Sequence, residues 1–160
     1  MNENEFLTHI NENTGLIKRL INMYIDTSDE REDMFQEILM RCWISKDRFR
    51  GESKFSTWLY RLSLNSILTS LKKKSRLTTS PLDKEVEYIP GDKNNEESEI
   101  RSRLYLAIKK LDDIDKTIIT MHLDAFTNPE IADFMGISVN HCNVKLFRIK
   151  NKLETILKDN

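Results

Sequence analysis

The chain has 160 residues, 39% apolar and 32% charged, a size that suits one mid-sized domain or two small ones with modest cores. Its net charge of −1 gives no overall sign of a nucleic-acid partner, but the charge is unevenly spread. Residues 77–100 hold seven acids (Asp83, Glu85, Glu87, Asp92, Glu96, Glu97 and Glu99) against Lys84 and Lys93, so both flanking segments are net basic.

Glycine and proline are scarce, at 4 and 3 residues, which favours long helices. Cys42 and Cys142 show neither a disulfide framework nor metal-ligand spacing. Each falls on the apolar stripe of a predicted helix and reads as a small core hydrophobe. The histidines, at 9, 122 and 141, are too scattered for a metal site. The first residues lack the basic and apolar regions of a signal peptide. No apolar run reaches membrane-spanning length. A cytoplasmic protein with no cofactor and no membrane insertion is expected.

In chain order, Leu16, Ile17, Leu20, Ile21 and Tyr24 recur at helical spacing and predict a helix near residues 14–25. Thr27 and Glu30 fit a capping box, opening a second helix that runs to about Ile44. Its expected buried stripe is Phe35, Ile38, Leu39 and Cys42. The other face carries Asp33, Gln36, Glu37, Met40 and Ile44. Apolar side chains exposed beside acids hint at a partner, although a plain solvated surface fits as well. Residues 45–54 read as a loop broken at Gly51.

A long helix follows, from about Phe55 to Lys74. It has one apolar stripe at Phe55, Trp58, Leu59 and Leu62, and another at Tyr60, Leu64, Ile67 and Leu71. A helix apolar on two sides sits between neighbours. The polar strip carries Arg61, Asn65 and Lys72, and the helix ends in Lys72, Lys73 and Lys74. Such a run complements the helix dipole without any ligand. Aromatics beside cations also suit single-stranded nucleic acid. Residues 77–100, with Pro81, Pro90, Gly91 and the acids, read as a flexible tether and domain boundary.

Beyond the tether, Leu104, Ile108 and Leu111 mark one helix, and Ile114, Ile118, Met121 and Ala125 another. The strongest local motif is Thr127-Asn-Pro-Glu-Ile-Ala-Asp-Phe-Met-Gly-Ile-Ser138. Thr127 or Asn128 can cap a helix and Pro129 suits its first turn. Ile131, Ala132 and Met135 face the core. Gly136 ends the helix, Ile137 plugs the core and Ser138 caps the next helix. Together these make a helix-turn-helix. The second helix has an apolar stripe at Val139, Cys142, Leu146, Ile149, Leu153 and Ile156. Asn140, His141, Val144, Lys145, Arg148 and Lys152 lie on the opposite face. Such a helix enters the major groove with its first turns facing the bases. Asn pairs with adenine edges, Lys with guanine, and Val144 suits a thymine methyl. Arg148 and Lys152 lie where phosphate contact is expected.

Two blocks carry a resemblance. Asp33-Met-Phe-Gln-Glu-Ile38 with Trp43, then Asp47-Arg-Phe-Arg-Gly-Glu-Ser-Lys-Phe-Ser-Thr-Trp-Leu-Tyr-Arg-Leu62, resembles region two of bacterial sigma factors. The stretch from Ala107 to Leu153 resembles region four. No region-three domain fits between them, which resembles the short extracytoplasmic-function type. The resemblance implies an all-α protein of two small helical domains, a region-two bundle at 1–76 and a region-four helix-turn-helix at 101–160, joined by the acidic tether at 77–100. It implies a sigma factor that binds core RNA polymerase and recognises and opens promoter DNA, with an anti-sigma partner of a kind often embedded in the membrane.

By residue, it implies docking of Asp33, Gln36, Glu37 and Met40 on the polymerase clamp helices. The 50–55 loop with Lys54, together with Arg61 and Asn65, would hold the opened minus-ten element, with Lys72 and Lys73 along the backbone. The tether would thread the polymerase RNA channel. Ser138, Asn140, His141, Val144, Lys145 and Arg148 would read the minus-thirty-five element, and this domain would touch the polymerase flap. The recognition segment departs from the family's usual Gly-Thr-Val-Lys-Ser-Arg. Asn143 stands for the lysine and Val144 for the serine, which lowers the expected phosphate affinity.

Two other readings compete. A stand-alone helix-turn-helix regulator would bind duplex DNA without polymerase, but it leaves the acidic face and the aromatic-basic helix unexplained. An enzyme would need a phosphate loop, a metal cluster or a triad, and none is seen.

Overall fold

A computed structural model describes residues 1–77 and 96–159, with no account of the side chains of residues 76 and 77. The chain divides into two compact units, Met1–Glu87 and Tyr88–Asn160. Among the described residues there are eight α-helices and no strands. The protein is all-α with two small helical domains. Most of the tether expected at 77–100 lies outside the described residues.

The first unit comprises α1 (Glu3–Glu12), α2 (Thr14–Tyr24), α3 (Ser28–Ser45), a 3-10 turn (Lys46–Arg48) and α4 (Phe55–Leu77). Sequence periodicity misses α1, because it buries only Phe6 and Ile10. Its signal is a capping box. Asn2 Oδ1 accepts from Glu5 N–H at 2.8 Å, and Glu5 accepts from Asn2 N–H at 3.1 Å. At α3 the Thr27 hydroxyl accepts from Glu30 N–H as expected, while the Glu30 carboxylate is drawn to Lys74 of α4.

Helices α2 and α3 pack on α4. Ile17, Leu20, Ile38, Leu59, Leu64 and Ile67 are fully buried there. On α3 the buried stripe is Met34, Ile38 and Cys42, so Met34 takes the place expected of Phe35 and Leu39, which are half-buried. Burial pushes the Cys42 thiol up to about 12, and it raises the Cys142 thiol too. Both are free core thiols.

The second unit comprises α5 (Glu96–Lys109), α6 (Asp113–Leu123), α7 (Asn128–Met135) and α8 (Val139–Lys158). Helix α5 begins inside the stretch expected to be tether. Glu96, Glu97 and Glu99 fill its first turn, where acids complement the dipole, so residues 96–100 are helical rather than linker. Helices α5, α6 and α7 all pack on α8. The α8 stripe buries Cys142, Leu146, Ile149 and Leu153. Val139 and Ile156, expected on it, are exposed and half-buried at its ends.

The helix-turn-helix closes as its residues demand. Thr127 and Glu130 form a capping box, and Pro129 sits in the first turn of α7. Gly136 adopts φ +69. Its N–H donates to Asp133 and that of Ile137 to Ala132, the paired bonds of a Schellman motif. Helix α6 ends the same way, with Ala125 N–H donating to His122 and Phe126 N–H to Met121. There the left-handed residue is Ala125, at φ +67. The helix expected from Ile114, Ile118, Met121 and Ala125 forms as α6 with Ile114 inside it, but Ala125 is not part of it. Ala125 lies beyond the end of α6, and both side chains are exposed.

The two left-handed positions make opposite predictions. A side chain there costs about 1–2 kcal/mol, partly offset by the freer unfolded chain of glycine. Gly136→Ala should lower the unfolding free energy by about 1 kcal/mol and Ala125→Gly should raise it by a similar amount. Urea denaturation of the two variants checks both signs.

Candidate functional site

On α3, positions 33, 36, 37, 40 and 44 fall on one side at helical spacing. Asp33, Gln36 and Met40 are exposed and Glu37 is half-buried. Met40 is 61% exposed and Ile44 72%, so two large apolar side chains stand in solvent beside acids. Glu37 is not a bare carboxylate, since it accepts from Arg41 Nη2 at 2.6 Å. A surface pair of this kind adds little stability. Between α3 and α4 a hollow of about 190 Å³ is bordered by Asp33 and Glu37 and lined also by Ile25, Met34 and Leu71.

An aromatic cluster holds the loop before α4. The rings of Phe49 and Phe55 lie 5.4 Å apart, Phe49 and Trp58 5.6 Å, and Phe6 and Phe55 5.6 Å. Lys46 Nζ sits 3.6 Å from the Trp43 ring centre, a cation–π contact. Lys54 is exposed, and its carbonyl accepts from the N–H groups of Thr57 and Trp58 at the start of α4. The loop is thus anchored by its aromatics and displays its polar residues.

Along α4, Asn65, Lys72 and Lys73 are exposed. Arg61 departs from the solvated strip expected of it. It is half-buried, and its Nε has no hydrogen-bond partner. Phe55 and Tyr60 are buried and Trp58 is half-buried. These rings serve the core and the aromatic cluster, so they do not form an open stacking platform.

In the second unit, Ser138 caps α8, its hydroxyl accepting from His141 N–H at 3.0 Å. Asn140, His141, Val144 and Arg148 are exposed. Asn143 accepts from Asn128 Nδ2 at 2.6 Å and so ties α8 to α7. Lys145 does not share the open face. It is half-buried, with Nζ 3.6 Å from Asp115 Oδ1. Lys152 Nζ donates to Asp115 Oδ2 at 2.7 Å. That hydrogen bond, helped by the charge of Asp115, raises the Lys152 pKa above its ordinary value.

Sequence reasoning overlooked Phe147, which is 68% exposed. It lies one turn beyond Val144, off the buried stripe. That offset, a large ring at a non-core position of α8, is the signal that could have found it.

The two units coincide with two successive family matches. Residues 9–77 match Sigma-70 region 2, and residues 101–153 match Sigma-70, region 4. The chain belongs to the sigma-70 family. An ECF RNA polymerase sigma-E factor of Escherichia coli (strain K12) is 26% identical over 162 residues, covering 89% of this chain and 83% of the relative. An RNA polymerase sigma-H factor of Pseudomonas aeruginosa is 26% identical over 160 residues, covering 90% and 79%.

Two solved structures share the fold. The sigma factor RpoE in complex with the anti-sigma factor NepR, from Bartonella quintana, matches with a TM-score of 0.79 at 19% identity, covering 96% of this chain and 97% of that one. CnrH in complex with the cytosolic domain of CnrY matches at 0.66 and 19% identity, covering 99% and 91%. The chain is an ECF-type sigma factor. It works with RNA polymerase to direct promoter-specific initiation, and the stand-alone regulator is not favoured. No described helix is long and apolar enough to cross a membrane.

Proposed function

We propose that the two surfaces divide the work of this sigma factor. The outer face of α3, with Asp33, Gln36, Glu37 and Met40, docks on the clamp helices of the polymerase large subunit. The observation that carries this is the pairing of Asp33 and Gln36 with an exposed Met40 and Ile44 on one helix face. Such a mixture suits an interface with an apolar centre and a polar rim. The 50–55 loop with Lys54, and the α4 strip of Arg61, Asn65, Lys72 and Lys73, hold the opened minus-ten strand. Cations there follow phosphate, and a base unstacked from the duplex is caught against the protein.

In the second unit, α8 enters the major groove at the minus-thirty-five element. Asn140, His141 and Val144 meet base edges, Arg148 meets phosphate, and Ser138 lies at the helix start facing the backbone. The same unit touches the polymerase flap. Domain bounds of 1–76 and 96–160 follow, with the acidic stretch between them in the polymerase RNA channel, where it imitates a polyanion. The protein acts in the cytoplasm by binding alone, while the polymerase performs the chemistry. Its regulator is an anti-sigma protein, as in the RpoE–NepR complex of like fold.

Two predictions follow from this division. Asp33→Ala and Glu37→Arg should each weaken core polymerase binding about tenfold with the helical circular dichroism unchanged, and unaltered affinity would remove the docking role of α3. Arg148→Ala should weaken promoter duplex binding and make its salt dependence shallower by about one unit of log K against log salt. An unchanged slope would remove the phosphate contact.

A further inference from the structure

The side chain of Asp115 is only 5% exposed, although it stands in the first turn of α6. A buried carboxylate left unpaired is strongly disfavoured. Its two oxygens are taken by two lysines of one helix. Oδ1 lies 3.6 Å from Lys145 Nζ, and Oδ2 accepts from Lys152 Nζ at 2.7 Å. These lysines are seven positions apart, two turns along one side of α8, so a single carboxylate bridges them. Arg148 lies between them in sequence and is exposed. The recognition helix therefore carries three cations at helical spacing, two of which already have an anion.

We propose that Asp115 is an internal counter-ion that stands in for DNA phosphate, holding Lys145 and Lys152 back from the duplex and so limiting sequence-independent binding by α8. This rests on the reading of α8 as the duplex-facing helix. The physical reason is an exchange of anions. For either lysine to reach a phosphate, it must leave a carboxylate that is too buried to be satisfied by water. The exchange is disfavoured, and the lysines stay where they are. Sequence-independent affinity for duplex DNA comes almost wholly from such phosphate contacts, each adding about 0.9 to the salt slope. Withholding two of them lowers binding to every sequence alike. The outward residues Asn140, Val144 and Arg148 are left to meet the promoter. Asp115 is thus a positioning residue, since it acts on DNA only through the lysines.

The test uses the full chain and a mixed-sequence duplex, followed by fluorescence anisotropy over a range of salt concentrations. Asp115→Asn keeps the side-chain shape and removes the charge. It should bind about tenfold more tightly at low salt, with a slope steeper by up to about two units. Lys145→Ala and Lys152→Ala, each made alone, should leave the slope of the natural chain unchanged. Added together to Asp115→Asn, they should restore the natural slope. An Asp115→Asn chain that folds but binds with the natural slope would overturn the proposal. So would a shallower slope in either single lysine variant. If Asp115→Asn fails to fold, as judged by circular dichroism, the single lysine variants still decide. Arg148→Ala, measured alongside, separates the two failures. Loss of its effect withdraws α8 as the duplex-facing helix, whereas an intact Arg148 effect with no response to Asp115→Asn sinks only the counter-ion.

Discussion

Helices α5, α6 and α7 all pack on α8, and the contact is made through Cys142, Leu146, Ile149 and Leu153. These residues recur at steps of three and four, so they fix the rotation of the helix about its own axis. Once that rotation is set, Asn140, Val144, Phe147 and Arg148 must point outward. The surface of the second unit is the complement of its core stripe. Lys145 and Lys152 fall at the margin between the two, and there Asp115 captures them. Core packing and the electrostatics of the outer face are therefore one problem on this helix.

The first unit solves a related problem with α4. This helix is apolar on two sides because α2 and α3 both lean on it. What is left is a narrow strip for Arg61, Asn65 and Lys72. The aromatic cluster of Phe6, Phe49, Phe55 and Trp58 then fixes where the preceding loop runs. The outer face of α3 takes no part in that core, so Met40 and Ile44 remain in solvent. A sigma factor has to meet polymerase on one side and a melted strand on another. A small bundle with one central helix leaves both sides available.

The main elements were legible in the sequence because they rest on strong periodic stripes and explicit punctuation. Thr127, Pro129, Gly136 and Ser138 announced the turn of the helix-turn-helix, and each performs the expected local task. Helix α1 was not legible, because two buried residues make too thin a stripe. Ala125 misled for the opposite reason. Its spacing fits a helix, but its backbone ends one, and nothing in an alanine advertises a left-handed conformation. The candidate site was legible as a set of faces and less so as individual side chains. Arg61 is half-buried, Glu37 is paired with Arg41, and Lys145 is paired with Asp115 from thirty residues away. Such pairings depend on tertiary proximity, which helical periodicity does not encode. Phe147 was not legible because an apolar ring reads as core in the sequence, and only the rotation of α8 puts it in solvent.

The central claim is that the two units act together, through polymerase, to choose a start site. Run-off transcription tests it most directly. The purified chain is mixed with core polymerase from its own source and a genomic promoter library, and the transcript starts are mapped. The account predicts defined starts that require this chain, each preceded by two sequence elements at constant separation. Duplex binding by the chain alone, with no start that depends on it, would contradict the account and leave the surfaces of α3 and α4 without a role.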